Sequence, residues 1–139
     1  MRRPIRVLHV LDSMGVGGAQ ELVLAWARRL DPARVRTSIC ALHGPLDRWG
    51  PLPQGVEGIS LGRSRWDARM VGRLARLLAS GAHDVIQTHL FASCAAVGLM
   101  ARLGAGRTKR ILTVHCLRHQ VPPWDFPVYR MLARRFDAV

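Results

Sequence analysis

Residues 5–21 read Ile5-Arg6-Val7-Leu8-His9-Val10-Leu11-Asp12-Ser13-Met14-Gly15-Val16-Gly17-Gly18-Ala19-Gln20-Glu21. The run to Leu11 is nearly continuous in apolar residues, as a parallel strand covered on both faces requires. From Ala19 the pattern turns helical, with Val23, Trp26, Ala27 and Leu30 spaced i, i+3, i+4, i+7. Between them Gly15, Gly17 and Gly18 carry the chain from strand to helix. Glycine has no Cβ, so this backbone can take positive φ and approach a ligand closely, and the free N–H groups of a helix start favour an anion. The stretch therefore predicts an α/β protein that binds phosphate at this turn.

Outward from this unit the same alternation repeats. Further strands are expected at Arg36 to Leu42, Gly58 to Leu61, Asp84 to His89 and Arg110 to His115. A helix is expected from an Asp67 N-cap to Ala79, with Val71, Leu74, Ala75 and Leu78 inward, closed by Ser80-Gly81. A second runs from about Ala92 to Leu103, rich in small residues (Cys94, Ala95, Ala96, Gly98) and ended by Gly104 and Gly106. A third, about Phe126 to Phe136, places Val128, Met131 and Leu132 on one face. Parallel neighbours need right-handed crossovers, so the fold class is α/β: a doubly wound, mostly parallel sheet of five strands with helices on both faces. Asp137-Ala138-Val139 resembles the start of the strand at Asp84-Val85-Ile86, so a sixth strand is expected to begin there.

Length and composition bound the function. A chain of 139 residues is one domain, 1–139, and buries roughly 68–70% of its unfolded surface. No apolar run approaches the ~18–20 residues of a membrane span, and the N-terminus lacks a signal-peptide h-region; the expected location is cytoplasmic. Cys40, Cys94 and Cys116 are an odd number without C-x-x-C spacing, so they read as buried thiols rather than a disulfide or zinc site. The net charge of +12 raises nucleic acid or an anionic membrane as partners. The arginines are scattered, however, and no aromatic residues interleave with them as a single-strand binder needs; nucleic acid is not expected. The densest cluster is Arg63, Arg65, Arg69, Arg73 and Arg76. A solvated helix face is its first reading, and peripheral contact with an anionic inner membrane face or a lipid-linked acceptor its second.

Ligands of such sheets bind outside the carboxyl ends of the strands. Those ends here carry Asp12 to Gly18, His43, His89 to Ala92 and His115 to His119. The loop does not match G-x-G-x-x-G, because Gln20 stands at the last glycine position, and no acid follows the second strand; both features argue against an NAD enzyme. His9 is expected to be packed. His89 and His115 are either polar strand ends bonded to nearby backbone, or neutral imidazoles contacting hydroxyl groups of a ligand. Adjacent His115 and Cys116 point to opposite faces of an extended backbone, so they form no dyad, and no metal site is expected. Only Asp12, and less clearly Glu21 and Asp125, could lie near the crevice, without the close carboxylate pair of hydrolases.

Four segments in order carry a resemblance: Ile5 to Leu11, Gly17 to Val23 at the helix head, Asp84 to Leu90, and Arg110 to His115. Together they resemble the N-terminal domain of family 4 glycosyltransferases, over nearly the whole chain. The resemblance implies one Rossmann-like half of a two-domain GT-B enzyme that transfers sugar from a nucleotide-sugar donor with retention of configuration and without a metal or other cofactor. It implies that Gly17 and Gly18 meet the donor diphosphate, and that His115 contacts the donor sugar at the reacting centre. Asp12, His89, Phe91 and Arg118 then border the acceptor side, with a glycan or lipid-linked molecule as acceptor. The proline-rich stretch from His43 to Gly55 departs from the family's usual helix. The donor-binding half lies outside these 139 residues, so the chain alone is expected to be inactive.

Overall fold

In the computed structural model, residues 3–48, 50–64, 67–101, 108–115, 122 and 125–139 are described. The elements are β1 (Ile5–Leu11), α1 (Gly18–Arg29), β2 (Val35–Ala41), β3 (Glu57–Ser60), α2 (Arg69–Ala79), β4 (Val85–His89), α3 (Phe91–Leu99), β5 (Lys109–Thr113) and α4 (Asp125–Ala133). All pairings are parallel, in the order β3-β2-β1-β4-β5. The chain thus builds outward from β1 in one direction and then reverses, leaving a switch point between β1 and β4. This is the Rossmann-like α/β fold that the alternation predicted.

The sheet separates two cores. Leu8, Val10, Cys40, Leu42 and Ile86 project towards Leu74 and Leu78 of α2 and Val97 of α3. Leu11, Ile39 and Ala41 project the other way, against Ala19, Val23 and Leu24 of α1. Each fully buried leucine contributes about 1.5–3 kcal/mol relative to exposure, so Leu74 and Leu78 are the principal anchors of α2 on the sheet. Three expected inward residues are corrected. Val71 is half exposed, and Met70 and Leu77 pack beside Leu74 and Leu78 instead. Both stripes have helical spacing, and the docking of α2 selects the one a turn-fraction away. Leu30 falls at the C-cap of α1, where the chain has left the helix (φ −70, ψ 136), and is exposed. Met131 is exposed while Leu132 is buried.

Two aspartates repeat one device at the amino end of the sheet. Asp84 accepts the backbone N–H of Arg6 (2.9 Å) and pairs with the Arg3 and Arg6 guanidiniums. Asp137 accepts the backbone N–H of Arg110 (2.9 Å) and pairs with Lys109. The Arg6 and Arg3 side chains hold the Asp84 carboxyl well below the ordinary carboxylate range. Immediately after Asp137, Ala138 bridges Ile111 in parallel, so the pairing expected of a sixth strand begins beside β5. Asp67 stands one residue before the α2 N-cap, yet its carboxylate accepts the N–H groups of Arg69 and Arg63. Gly81, at φ 64, closes α2 as expected. Cys40 and Cys94 are buried free thiols, pushed up to about 12 and about 11 by burial. Cys116, Gly104 and Gly106 lie outside the described residues. No helix among the described residues is long and apolar enough to cross a membrane.

Two helix glycines differ in a way that stability measurements will read. A Cβ at Gly98 would lie 2.9 Å from Leu132 Cδ2 and 3.2 Å from Phe136 Cε2, whereas at Gly72 it would meet nothing within 4 Å. Gly72→Ala should stabilise the chain by about 0.5–1 kcal/mol through helix propensity. Gly98→Ala should cancel that gain by overpacking, which typically costs about 1–3 kcal/mol. Equal stabilisation by both in urea denaturation would contradict the α3–α4 contact.

Candidate active site at the switch point of the sheet

The side chains alternate along each strand, so His9, Gln87, His89, Thr113 and His115 share the face that α1 covers. Register sets them on a diagonal. His9 lies opposite Gln87, and His89 lies opposite Thr113, so each histidine stands two residues further along its strand than the last. The three rings connect: His9 Nδ1 lies 3.1 Å from His89 Nε2, and His89 Nδ1 lies 2.7 Å from His115 Nε2. The His89 and His115 rings stack, with centroids 5.0 Å apart. Trp26 of α1 stands beside His9 and His89, at 5.9 and 6.1 Å between centroids. Gln87 Nε2 donates to Thr113 Oγ1 (2.9 Å) on the same face.

Burial keeps this row neutral. It pushes His9 down to about 4 and, with the neighbouring imidazoles adding to the effect, His89 down to about 3. His115 is also lowered by burial, but it remains partly exposed. His89, expected to border the acceptor side directly, is 0% exposed. Both its ring nitrogens are engaged, so it stands behind His115 rather than against a ligand.

Asp12 also has structural work. Its carboxylate accepts the N–H groups of Ser93 (2.6 Å) and Ala92 (3.3 Å) at the start of α3. It thereby ties the end of β1 to α3 across the switch point. Burial raises the Asp12 carboxyl, and the bonds from Ser93 and Ala92 partly offset the rise. The turn it holds contains Leu90 at φ 73, ψ 166, a region only glycine enters freely, at a cost of about 1–3 kcal/mol. Ser93 Oγ braces the same turn by donating to the carbonyls of His89 and Leu90. Phe91 opens α3 and packs edge-on against Tyr129 of α4 (5.2 Å). Arg118 lies outside the described residues.

The glycine loop differs from expectation in one respect. Gly15, Gly17 and Gly18 do not use positive φ; Gly17 is extended, at φ 176. At Gly17 a Cβ would come 2.7 Å from Gln20 Oε1, so any larger residue there requires the Gln20 side chain to shift. Gln20 is buried and donates from Nε2 to the Ser13 carbonyl (3.0 Å), stapling the loop to the helix. At Gly18 a Cβ would meet nothing within 4 Å, so the helix start remains open for close approach.

Sequence reading missed Gln20, Ser93 and the partnership of His9 with His89. The signal available was three histidines near strand ends, but only the strand order and register bring them together. Among the described residues no group of three His, Cys, Asp or Glu side chains could hold a metal. A concavity of about 810 Å³ lies elsewhere, between α1 and the starts of β2 and β3, lined by Arg28, Pro32, Arg36, Pro53 and Glu57. It is at the amino ends of the strands, where sheets of this class do not bind ligands.

An open parallel sheet whose strand order reverses between β1 and β4 defines a Rossmann-like α/β domain. The family model of Glycosyltransferase Family 4 matches residues 16–139, and the chain belongs to that family. Among solved structures it is similar to a lipopolysaccharide outer core galactosyltransferase, WaaB, in its apo form, at 11% identity and a TM-score of 0.54. That likeness covers 80% of this chain and 33% of the other, so the chain spans about a third of the matched structure's length. No curated protein sequence matches the chain.

The neutral histidines fix a pH dependence. Their folded pKa values lie below the ordinary 6.5, so the unfolded chain binds protons first as pH falls. Stability present above pH 6.5 should be lost on the way to about pH 4, by about 1.4 kcal/mol per pH unit for each excluded proton. Urea midpoints between pH 7 and 4.5 should show this fall, and it should be smaller in His9→Asn. A midpoint constant over that range would contradict the buried neutral row.

Proposed function

We propose that this chain is the acceptor-side half of a nucleotide-sugar-dependent retaining glycosyltransferase that moves a hexose-type sugar to a glycan or lipid-linked acceptor. The observation that carries the reading is the pairing of an open helix start at Gly17–Gly18 with His115, partly exposed at the end of β5, on either side of the switch point. Family membership supports the reading, and the activity of the matched galactosyltransferase is in keeping with it.

In this reading the donor diphosphate meets the first N–H groups of α1, which have no intrahelical partners. His115, neutral at pH 7, offers a hydrogen bond to the donor sugar without introducing a charge. Phe91, Asp12 and Arg118 form or support the acceptor side. Departure of a nucleoside diphosphate needs electrostatic stabilisation beyond these groups, and a separate donor-binding domain supplies it. No catalytic metal or other cofactor takes part. The reaction is cytoplasmic, and the exposed arginines of α2, Arg69, Arg73 and Arg76, give a peripheral contact with an anionic inner membrane face.

One observation favours a rival. The Asp12 carboxylate is committed to α3, which leaves the crevice short of acid–base groups, as in a non-catalytic module that binds glycan or anionic lipid. Such a module would retain saccharide or anionic vesicles in every context without turnover.

The chain alone should turn over no nucleotide sugar; rates of about 1 per second or more, typical of enzymes, would overturn the half-enzyme reading. In the enzyme completed by a donor-binding domain, loss of this hydrogen-bond donor in His115→Ala should lower turnover by about 10²-fold or more with an unchanged circular dichroism spectrum. Gly18→Ala should raise the donor KM at unchanged stability. Near-normal kinetics in both variants would remove these residues from the site.

A further inference from the structure

We infer that the row His9–His89–His115 has a fixed direction of hydrogen bonding, which makes His89 a positioning residue that holds His115 as the Nδ1–H tautomer and gives the cleft a donor. The functional meaning rests on the transferase reading above, whereas the tautomer is a property of the chain without any ligand.

The argument is one of proton counting. A neutral imidazole has one N–H and one acceptor nitrogen. His89 uses both nitrogens, Nε2 towards His9 and Nδ1 towards His115, so it donates in one direction and accepts in the other. Two arrangements are possible. In the first, every ring carries its proton on Nδ1, and the bonds run from His9 to His89 to His115. In the second, every proton is on Nε2 and the bonds run back.

The buried end decides between them. His9 Nε2 is buried with no hydrogen-bond partner among the described residues. The first arrangement leaves a lone pair there, and the second leaves an N–H. An orphaned buried N–H is the rarer and more costly defect. The Trp26 ring, 5.9 Å away and tilted by 42°, offers only a π face, a weaker acceptor than an imidazole nitrogen. The first arrangement is therefore selected, and His115 accepts at Nε2 from His89.

The row is not a metal site. The two nitrogens of His89 lie on opposite sides of its ring and contact different partners. Two nitrogens sharing one tetrahedral zinc at 2.0–2.1 Å would also lie about 3.3 Å apart, further than the 2.7 Å between His89 and His115.

The consequence concerns what the cleft selects. With Nε2 occupied, His115 has only Nδ1–H for a ligand. It recognises an oxygen lone pair, such as a sugar hydroxyl or phosphate oxygen, and cannot accept a proton from an attacking hydroxyl at that nitrogen. His115 is thus a hydrogen-bond donor to the donor sugar and not a general base.

The test is long-range ¹H–¹⁵N correlation on the 139-residue chain labelled at histidine, at pH 7 and without ligand. His9, His89 and His115 should each carry the proton on Nδ1, the reverse of the Nε2–H form that free imidazole side chains favour in water. Protons on Nε2, or a doubly protonated ring, would overturn the assignment. In His89→Phe, with a dispersed backbone spectrum retained, His115 should shift towards Nε2–H; an unchanged Nδ1–H signal would overturn the positioning role. If that variant does not fold, the wild-type spectrum still decides the direction of the row. Transfer by the enzyme completed with a donor-binding domain, together with Nε2–H at His115, would refute this inference alone; Nδ1–H at His115 in a completed protein that transfers no sugar would refute the transferase reading alone.

Discussion

Three imidazoles cross the sheet where its strand order reverses, and His89, in the middle, has one proton for two neighbours. Hydrogen bonds of this neutral kind contribute about 0.5–1.5 kcal/mol each, while leaving such a group unpaired in the interior costs about 1–3 kcal/mol. The geometry of the strand ends is therefore held less by the gain of making the row than by the penalty of breaking it. Parallel register with a two-residue step places the rings, α1 covers them with Trp26, and burial keeps them uncharged.

Asp12 and Ser93 complete the frame. Asp12 reaches from the end of β1 to the first turn of α3, and Ser93 braces the strained passage at Leu90. These bonds hold the return of β4 close to the glycine loop. Gln20 fastens that loop from inside the helix it starts. In the proposed reading, this frame leaves two groups for a ligand, the helix start at Gly18 and the partly exposed His115. Asp12 and His89, read from the sequence as bordering the acceptor side, are bonded within the protein and support the segments that carry these two.

Much of this fold is written in local pattern. The apolar run of β1, the alternation of strands and helices, Gly81 after α2 and the aspartate before β4 each express a constraint acting within a few residues. What the pattern could not supply was set at long range. Whether Val71 or Met70 faces inward depends on how α2 docks, since both fit a helical stripe. The conformation of the glycine loop depends on a side chain, Gln20, that folds back over it. His9 looked merely packed because its partner lies 80 residues away and meets it only through the strand order. The candidate site was legible as a set of strand ends; the division between contact and support was not.

The central claim is that the helix start and His115 form one side of a sugar-nucleotide cleft. A crystal structure of the completed enzyme with a non-transferable nucleotide-sugar analogue tests it most directly. The diphosphate should lie on the backbone of Gly17 and Gly18, with His115 Nδ1 at hydrogen-bond distance from an oxygen of the sugar. A diphosphate seated instead in the groove between α1 and the starts of β2 and β3 would contradict the account.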